Sequence, residues 1–317
     1  MTDQKDDIPQ RVLALRSVFS ETETFHALQA EFARQLASRR AEIEAGRILP
    51  VKGIALIGAS GSGKSTLVAR LFRVTPGLVL ARDGLSRCDV ISLTVPSPAT
   101  LKSVGRVILE ALGYPLKRER TADAIWELVR GFLKERQVMF LHLDEAQDIG
   151  RHQTPKEMQA VINTLKTMMQ HPSWPVGLIL SGMPALRDIL NVDPQLARRV
   201  IPIELPRLSP ISDIEPLTEM TAFYAQEGGL APADPAENAD IAARLIQAAD
   251  REFGLAIEIT IDAVEEALRL GSSKPSRDHF AAAFARRSGC IDGLNPFIIG
   301  EYDRLDVRKL LQREGER

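Results

Sequence analysis

One run of eight residues has the types and spacing that binding of phosphate requires: Gly58-Ala59-Ser60-Gly61-Ser62-Gly63-Lys64-Ser65. The run matches the pattern G-x-x-x-x-G-K-[ST] without deviation. Glycines allow the backbone angles that close a nest of N–H groups around a phosphate, and a following helix N-terminus adds partial positive charge. We expect Lys64 to contact the β- and γ-phosphates, Ser65 to ligate Mg²⁺, and Thr66 to belong to the same site. The run therefore predicts ATP and Mg²⁺ as ligands.

A second candidate site follows the apolar run 138–143, which ends at Asp144 and Glu145. In ATPases with such a glycine loop, an Asp at the end of a strand holds Mg²⁺ directly or through water. The adjacent Glu145 is placed to polarise an attacking water as a general base. A kinase gains nothing from an activated water, so the pair favours an ATPase. His142, inside the same run, is interpreted as a packing residue without a catalytic role.

Three further residues have a functional and a structural interpretation. Ser181 ends the apolar run 176–180 and is a candidate to hydrogen-bond the γ-phosphate or the attacking water, although a plain strand-ending serine fits as well. Arg198 and Arg199 precede the last apolar run. Either one could act across a subunit interface as an arginine finger, and the alternative is a pair of solvated arginines.

The elements that must position these residues alternate along the chain. Short apolar runs predict strands at 53–57, 89–95, 138–143, 176–181 and 200–205. Amphipathic stretches between them predict helices at 64–72, 101–112, 121–136, 155–170 and 183–190. Strands separated by helices of this length indicate βαβ units, and therefore a parallel sheet covered by helices on both faces.

Outside this α/β region the sequence reads as helical. A helical pattern covers 11–47, and strand patterns stop after Pro206. Further helices are predicted at 213–227, 241–251, 257–270 and 277–287, with a connection at 228–240. We expect a helical extension at 1–49, a core at 50–210, a helical lid at 211–290, and a tail without clear packing signal at 291–317.

Composition limits the function classes. The 317 residues are 44% hydrophobic and 26% charged, as in ordinary globular proteins. The N-terminus lacks a signal-peptide pattern and no apolar run is long enough for a membrane span. Two distant cysteines, Cys88 and Cys290, suggest neither a disulfide framework nor a zinc site, so we expect a cytoplasmic protein. The formal net charge of −2 gives no global attraction to nucleic acid.

Local basic clusters are the remaining candidates for DNA contact. Lys102 lies near the start of a predicted helix, and Lys117, Arg118 and Arg120 form a short basic loop ending at Thr121. Such side chains suit backbone phosphates and read no bases. A solvated loop and helix face is the alternative. Any binding should be insensitive to DNA sequence and strongly dependent on salt.

Several motifs together resemble the AAA+ ATPases. They are the glycine loop, the Asp144-Glu145-Ala146-Gln147 strand end, residues 180–184 and 195–199, and the helical module that follows. More narrowly, the chain resembles the TniB family of transposition ATPases, which are similar to TnsC and more distantly to MuB and the IstB-type helpers. The resemblance runs from about residue 11 to residue 299. It depends on overall length, the polar helical segment before the first strand, and the run from Leu205 to Pro210.

This resemblance implies a target-selection adaptor. Such a protein binds double-stranded DNA when loaded with ATP, oligomerises on it as a ring or filament, recruits or activates a transposase, and disassembles on hydrolysis. A target-site protein is a further expected partner, and no membrane is involved. The family also points to Lys102 and Thr121 as DNA contacts. One departure is that the lid segment 254–258 lacks the arginine that AAA+ lids often direct at the phosphates, and Arg251 lies before that position.

Two alternatives stay open. The first is a secretion-type ATPase that acts on a protein client without DNA. The second is a nucleotide-gated scaffold that binds ATP and hydrolyses it negligibly, against which the Asp144–Glu145 pair argues.

Overall fold

The computed structural model describes residues 7–81, 87–151 and 154–309, and the chain divides into two compact units. The sheet unit comprises Glu21–Ala59 and Lys64–Leu205. The helical unit comprises Met1–Ser20, Ser60–Gly63 and Pro206–Arg317, so four residues of the glycine loop group with it.

The sheet unit is built on five parallel strands. These are β1 (Gly53–Ile57), β2 (Val90–Thr94), β3 (Phe140–Asp144), β4 (Gly177–Gly182) and β5 (Val200–Glu204), in the spatial order β2-β3-β4-β1-β5. All five predicted strands are confirmed, with ends shifted by no more than two residues. The central strands β1, β3 and β4 were predictable because strands buried on both faces are continuous apolar runs.

The helix α1 (Ile8–Ser17) belongs to the helical unit. Helices of the sheet unit cover both faces of its sheet. They are α2 (Glu23–Glu44), α3 (Lys64–Val74), α4 (Leu101–Ala111), α5 (Ala122–Glu135), α6 (Pro155–Met169), α7 (Ala185–Val192) and α8 (Pro194–Ala197). The step from β1 to β2 crosses the sheet in one direction, and the later steps return in the other. Because crossovers between parallel strands are right-handed, α3 lies on one face and α4 to α7 on the opposite face. The predicted fold class is confirmed.

Side chains of β3 alternate between the two faces. The Phe140 ring lies 5.2 Å from the Phe32 ring of α2, and the His142 ring lies 5.7 Å from the Phe72 ring of α3. Leu141 and the other alternate residues pack into the core beneath α4, α5 and α6. Asp144 continues the Phe140–His142 series, so it faces the helix that follows the glycine loop.

The N-terminal region differs from the single helix predicted at 11–47. The chain breaks between α1 and α2, where Thr22 caps α2 by accepting a hydrogen bond from Phe25 N at 3.2 Å. A threonine hydroxyl in this position satisfies one of the otherwise unpaired N–H groups of the first turn. The first twenty residues group with the helical unit and the next segment with the sheet unit.

The helical unit contains four further helices: α9 (Ile214–Glu227), α10 (Pro235–Ala248), α11 (Phe253–Arg269) and α12 (Arg277–Ser288). The connection predicted at 228–240 is wrong at its end, because Pro235 starts α10 and Asn238 is already buried in it. Proline suits a first helical turn, where its missing N–H costs nothing. No helix in the described ranges is both long enough and apolar enough to cross a membrane.

Part of the tail is packed, which corrects the expectation of no packing signal. Phe297 is buried between Phe280 and Phe284. Arg244 of α10 donates from Nη1 to the carbonyl oxygens of Pro296 (2.8 Å) and Ile299 (2.7 Å). These contacts fix the segment around 295–299 on the helical unit.

Candidate nucleotide site and nucleic-acid interface

The glycine loop joins the end of β1 to the start of α3. Gly61 and Gly63 have φ values of +79° and +96°, which side chains rarely tolerate, so these positions need glycine. Lys64 is buried and its Nζ donates to the carbonyl oxygens of Gly58 (2.9 Å) and Ala59 (2.8 Å). Two backbone acceptors therefore hold the ammonium group over the loop.

The other loop residues fit a ligand that brings oxygen atoms. Ser62 Oγ is buried and has no hydrogen-bond partner in the described part of the chain. Ser60, Ser65 and Thr66 are exposed. A buried hydroxyl without a partner is costly unless a ligand satisfies it. This cradle therefore fits a nucleotide phosphate.

Asp144 and Ser65 lie together at the carboxyl edge of the sheet. Ser65 Oγ donates to Asp144 Oδ2 at 2.9 Å, and Ser181 Oγ donates to Asp144 Oδ1 at 2.6 Å. Burial raises the pKa of Asp144, but the hydrogen bonds from Ser181 and Ser65 outweigh burial and hold the pKa below its ordinary value. The carboxyl group is therefore ionised at neutral pH.

An ionised carboxylate beside a hydroxyl is an oxygen donor set that suits Mg²⁺. Magnesium usually takes one or two protein oxygens and completes its shell with water and substrate phosphates. Within the described residues, no group of three or more His, Cys, Asp or Glu side chains could hold a metal by itself. Ser65 and Asp144 are thus the residues that fit the ion, and the phosphates would complete its shell.

Glu145 leaves the strand in a left-handed conformation with φ 55° and ψ 36°. Gln147, two residues later, donates from Nε2 to Glu145 Oε2 and accepts from Met183 N at 2.9 Å. Gln147 therefore ties the carboxylate of Glu145 to the end of β4. The sequence analysis quoted Gln147 within a motif and gave it no role of its own, because the chain turn that brings it back is not visible in the pattern.

Ser181 is fully buried and contacts two residues of β3. Besides its bond to Asp144, Ser181 Oγ lies 2.8 Å from His142 Nε2, and His142 Nδ1 lies 2.7 Å from Ser92 Oγ of β2. Burial lowers the pKa of His142 to about 4, so the ring is neutral at neutral pH. His142 is thus hydrogen-bonded on both sides. The period-two alternation of Phe140, His142 and Asp144 was a signal that His142 faces the site.

Arg198 and Arg199 lie at the start of β5. Val200, the first residue of that strand, pairs with Gly53, the first residue of β1, whereas the glycine loop follows the last residue of β1. Arg199 donates from Nη2 (2.7 Å) and Nε (2.9 Å) to the Gln170 side-chain oxygen, in the amide orientation that satisfies both groups. Arg198 is exposed, and its guanidinium has no partner within the described ranges.

The start of α11 contacts the glycine loop within the helical unit. Leu255 N donates to Gly61 O at 2.9 Å. A Cβ added at Gly254 would lie 2.6 Å from Gly61 O and 2.9 Å from Gly63 N. The lid segment, which lacks an arginine, therefore approaches the loop through its backbone. Arg251 is exposed, with φ 63°, just before this contact.

The basic residues predicted to contact DNA lie at one end of a helix pair. The helices α4 and α5 are parallel neighbours, because Trp126 Nε1 donates to Leu101 O at 3.0 Å and the rings of Tyr114 and Phe132 lie 4.7 Å apart. Their N-termini therefore meet at the carboxyl edge of the sheet, where β2 leads into α4. Both helix starts add partial positive charge at this edge.

This end of the helix pair is called the basic surface, and it consists of Lys102, Lys117, Arg118, Arg120 and Thr121, all exposed. Thr121 also caps α5 by accepting from Ala124 N at 3.3 Å. Arg106 was not among the residues predicted to contact DNA. It pairs with Glu119 at 2.5 Å and so neutralises the one acidic residue between Lys117 and Thr121.

The chain is similar in structure to several archaeal proteins. It covers 71% of the Aeropyrum pernix ORC2 protein in its ADPNP–ADP complexes, with 86% of this chain aligned, 17% identity and a TM-score of 0.60. It covers 65% of the Aeropyrum pernix ORC1 protein in complex with DNA, less than two thirds, with 83% of this chain, 18% identity and a TM-score of 0.58. It covers 69% of Cdc6p of Pyrobaculum aerophilum, with 85% of this chain aligned, 17% identity and a TM-score of 0.54. At these identities the likeness shows a shared AAA+ P-loop fold.

Sequence comparison identifies the family. No curated protein sequence matches the chain. The family model described as "Bacterial TniB protein" matches residues 26–210, which is 185 of the 317 residues and more than half of the chain. The predicted resemblance is thereby confirmed, and the protein belongs to the TniB family and has the fold of the AAA+ ATPases.

Proposed function

We propose that this protein is an ATP-hydrolysing switch that binds double-stranded DNA in its ATP-bound state and acts as a target-selection adaptor for a transposase. The observation that carries the proposal is the shared position of two features. The Ser65–Asp144 pair and the basic surface lie at the same carboxyl edge of one sheet. A change in nucleotide state at that edge is therefore close to the residues proposed to contact DNA.

The residues of the nucleotide site divide the chemistry between them. Lys64 and the loop N–H groups bind the phosphates, and Ser65 and Asp144 hold the ion, which neutralises developing charge when bound. Glu145 polarises the attacking water, and Gln147 orients its carboxylate. Slow turnover is expected of one chain alone. Arg198 and Arg199 lie at the start of β5, which is the opposite end of the strand from this edge.

DNA contact by the basic surface would be electrostatic. Lysine, arginine and threonine side chains with two helix N-termini suit backbone phosphates, and no element here is shaped to read bases. The similarity to an ORC1 structure in complex with DNA and membership of the TniB family support DNA as ligand and a transposase as partner. ATP-dependent oligomerisation as a ring or filament belongs to the same proposal.

The experiment measures binding of labelled duplex DNA with ATP, ADP, a slowly hydrolysed ATP analogue and no nucleotide, at two salt concentrations. We expect binding that requires the triphosphate and weakens steeply with salt, with log K falling by ~0.9 per phosphate contact per log unit of salt. Lys102→Glu should weaken binding and lower that slope without changing ATP affinity.

Lys134→Glu is the matched control, because Lys134 is exposed on the same helix pair at its opposite end. Equal losses from the two variants would place the DNA contact elsewhere. Absence of binding in every nucleotide state would reject the DNA adaptor and favour the protein-client alternative. Lys64→Ala should abolish ATP binding, and unchanged affinity would reject the phosphate site itself.

A further inference from the structure

Polar residues of three adjacent strands form one continuous hydrogen-bonded row. Ser92 of β2, His142 of β3 and Ser181 of β4 follow one another across the sheet, and Ser92 is the register partner of His142. Ser181 then contacts Asp144, and Asp144 contacts Ser65 of the glycine loop. The row runs from an exposed serine at the edge strand to the residues that fit Mg²⁺.

The donors and acceptors of this row can be assigned by elimination. Asp144 Oδ1 accepts from Glu145 N at 3.1 Å and from Ser181 Oγ at 2.6 Å, so the single hydroxyl hydrogen of Ser181 is given to Oδ1. Ser181 Oγ must then accept from His142, which requires a hydrogen on Nε2. On the other side of the ring, Nδ1 lies 2.7 Å from Ser92 Oγ. The hydrogens of Nε2 and of the Ser181 hydroxyl therefore both point toward Asp144.

The opposite tautomer would reverse the direction of the hydrogen bond between His142 Nε2 and Ser181 Oγ. With the hydrogen on Nδ1, His142 Nε2 would accept from Ser181, and the Ser181 hydroxyl would turn away from Asp144. Oδ1 would then keep only the longer bond from Glu145 N at 3.1 Å. The carboxylate would lose the bond that fixes its rotation and directs Oδ2 toward Ser65.

We infer that His142 is a positioning residue, whose Nε2–H holds the Ser181 hydroxyl on Asp144 Oδ1 and thereby directs Oδ2 toward Ser65. The effect of His142 on turnover rests on the proposed function, but the position of the hydrogen on Nε2 does not. Ser181 then acts through Asp144, since its one hydrogen is committed there while the row is intact. A residue that fixes a metal ligand in this way typically changes activity 10–100-fold when it is lost.

The first test is spectroscopic and needs no nucleotide. In protein labelled with ¹⁵N-histidine, the His142 resonances are identified among the five histidines by their loss in His142→Gln. We expect a protonated Nε2. An unprotonated Nε2 at neutral pH would overturn the inference.

The second test separates positioning from packing. His142→Leu should lower kcat for ATP by about 10–100-fold with ATP affinity within about threefold, and His142→Gln, which keeps a donor near Nε2, should recover part of the loss. The matched control is Phe72→Leu, which disturbs packing on the same ring without touching the row.

Equal kcat values for His142→Leu, the Phe72 variant and wild type would overturn the inference. If wild-type protein hydrolyses no ATP at all, the proposed function fails, and the ring tautomer alone then decides the role of His142.

Discussion

Gly254 tests the contact between α11 and the loop residues Ser60–Gly63, which belong to the same unit. In Gly254→Ala the new Cβ would lie 2.6 Å from Gly61 O, 2.9 Å from Gly63 N and 3.1 Å from Gly63 Cα. These are backbone atoms, so no flexible side chain can move aside. Overpacking of this kind costs typically about 1–3 kcal/mol. Loss of the Leu255 N–H bond to Gly61 O adds about 1 kcal/mol.

The opposing term is helix propensity, which favours alanine over glycine by at most about 1 kcal/mol. We therefore expect a net destabilisation of the contact by roughly 1–3 kcal/mol, because overpacking and the lost hydrogen bond outweigh the gain in helix propensity. Gly131→Ala is the matched control, because Gly131 also lies in a helix and a Cβ there meets nothing within 4 Å. This control should stabilise α5 by up to about 1 kcal/mol.

The assay is hydrogen–deuterium exchange of peptides covering the first turns of α11. At tenfold per 1.4 kcal/mol, a loss of 2 kcal/mol speeds exchange by roughly 30-fold where local opening controls the rate. Peptides from α5 should exchange no faster in the Gly131 variant. Wild-type protection of α11 in Gly254→Ala would refute the close contact between α11 and the loop.

Three further predictions concern the nucleotide site. Gln147→Leu leaves Met183 N and the Glu145 carboxylate without their partner, so we expect a loss of about 1–3 kcal/mol in unfolding free energy and a lower kcat at unchanged ATP affinity, measured by urea unfolding and steady-state hydrolysis. Arg198→Ala should lower kcat by roughly 10³ or more without changing ATP affinity, whereas Arg199→Ala should act mainly on stability because Arg199 is bound to Gln170. Equal effects on kcat would contradict this assignment. Burial lowers the pKa of His142 from 6.5 to about 4, so the unfolded chain binds a proton at this residue before the folded chain does as the pH falls. The stability that His142 contributes is therefore present above pH 6.5 and is lost toward pH 4, at ~1.4 kcal/mol per pH unit in unfolding free energy, and His142→Leu should lack that slope.

The sheet was predictable because its signals are local. Each strand is a short apolar run, and each loop residue of the glycine site is fixed by its neighbours in sequence. The break between α1 and α2 was missed although Thr22 offers a capping hydroxyl, because the apolar spacing continues on both sides of it. The packing of Phe297 was missed for another reason, since one aromatic residue in a polar tail has no periodicity.

The site was predictable only where one motif contains it. Asp144 and Glu145 follow from the strand end, but the row through Ser92 and Ser181 depends on the register between strands, which the sequence does not specify. One relation within that row could still be predicted from the sequence. His142 precedes Asp144 by two residues, and in a strand such residues face the same side. The interpretation of His142 as a packing residue overlooked this relation.

Strand direction also constrains how the site can be completed. Arg198 lies before the first residue of β5, which is level with the first residue of β1, and the glycine loop follows the last residue of β1. Five residues of strand span about 13 Å, which is more than an arginine side chain can bridge. Arg198 therefore cannot act on the nucleotide of its own chain. If it is a finger, it serves a second copy, so the specific ATPase activity should rise with protein concentration in wild type and stay flat in Arg198→Ala. A specific activity of wild type that stays constant from concentrations where the protein is oligomeric down to concentrations where it is monomeric would rule out a finger supplied by a neighbouring subunit.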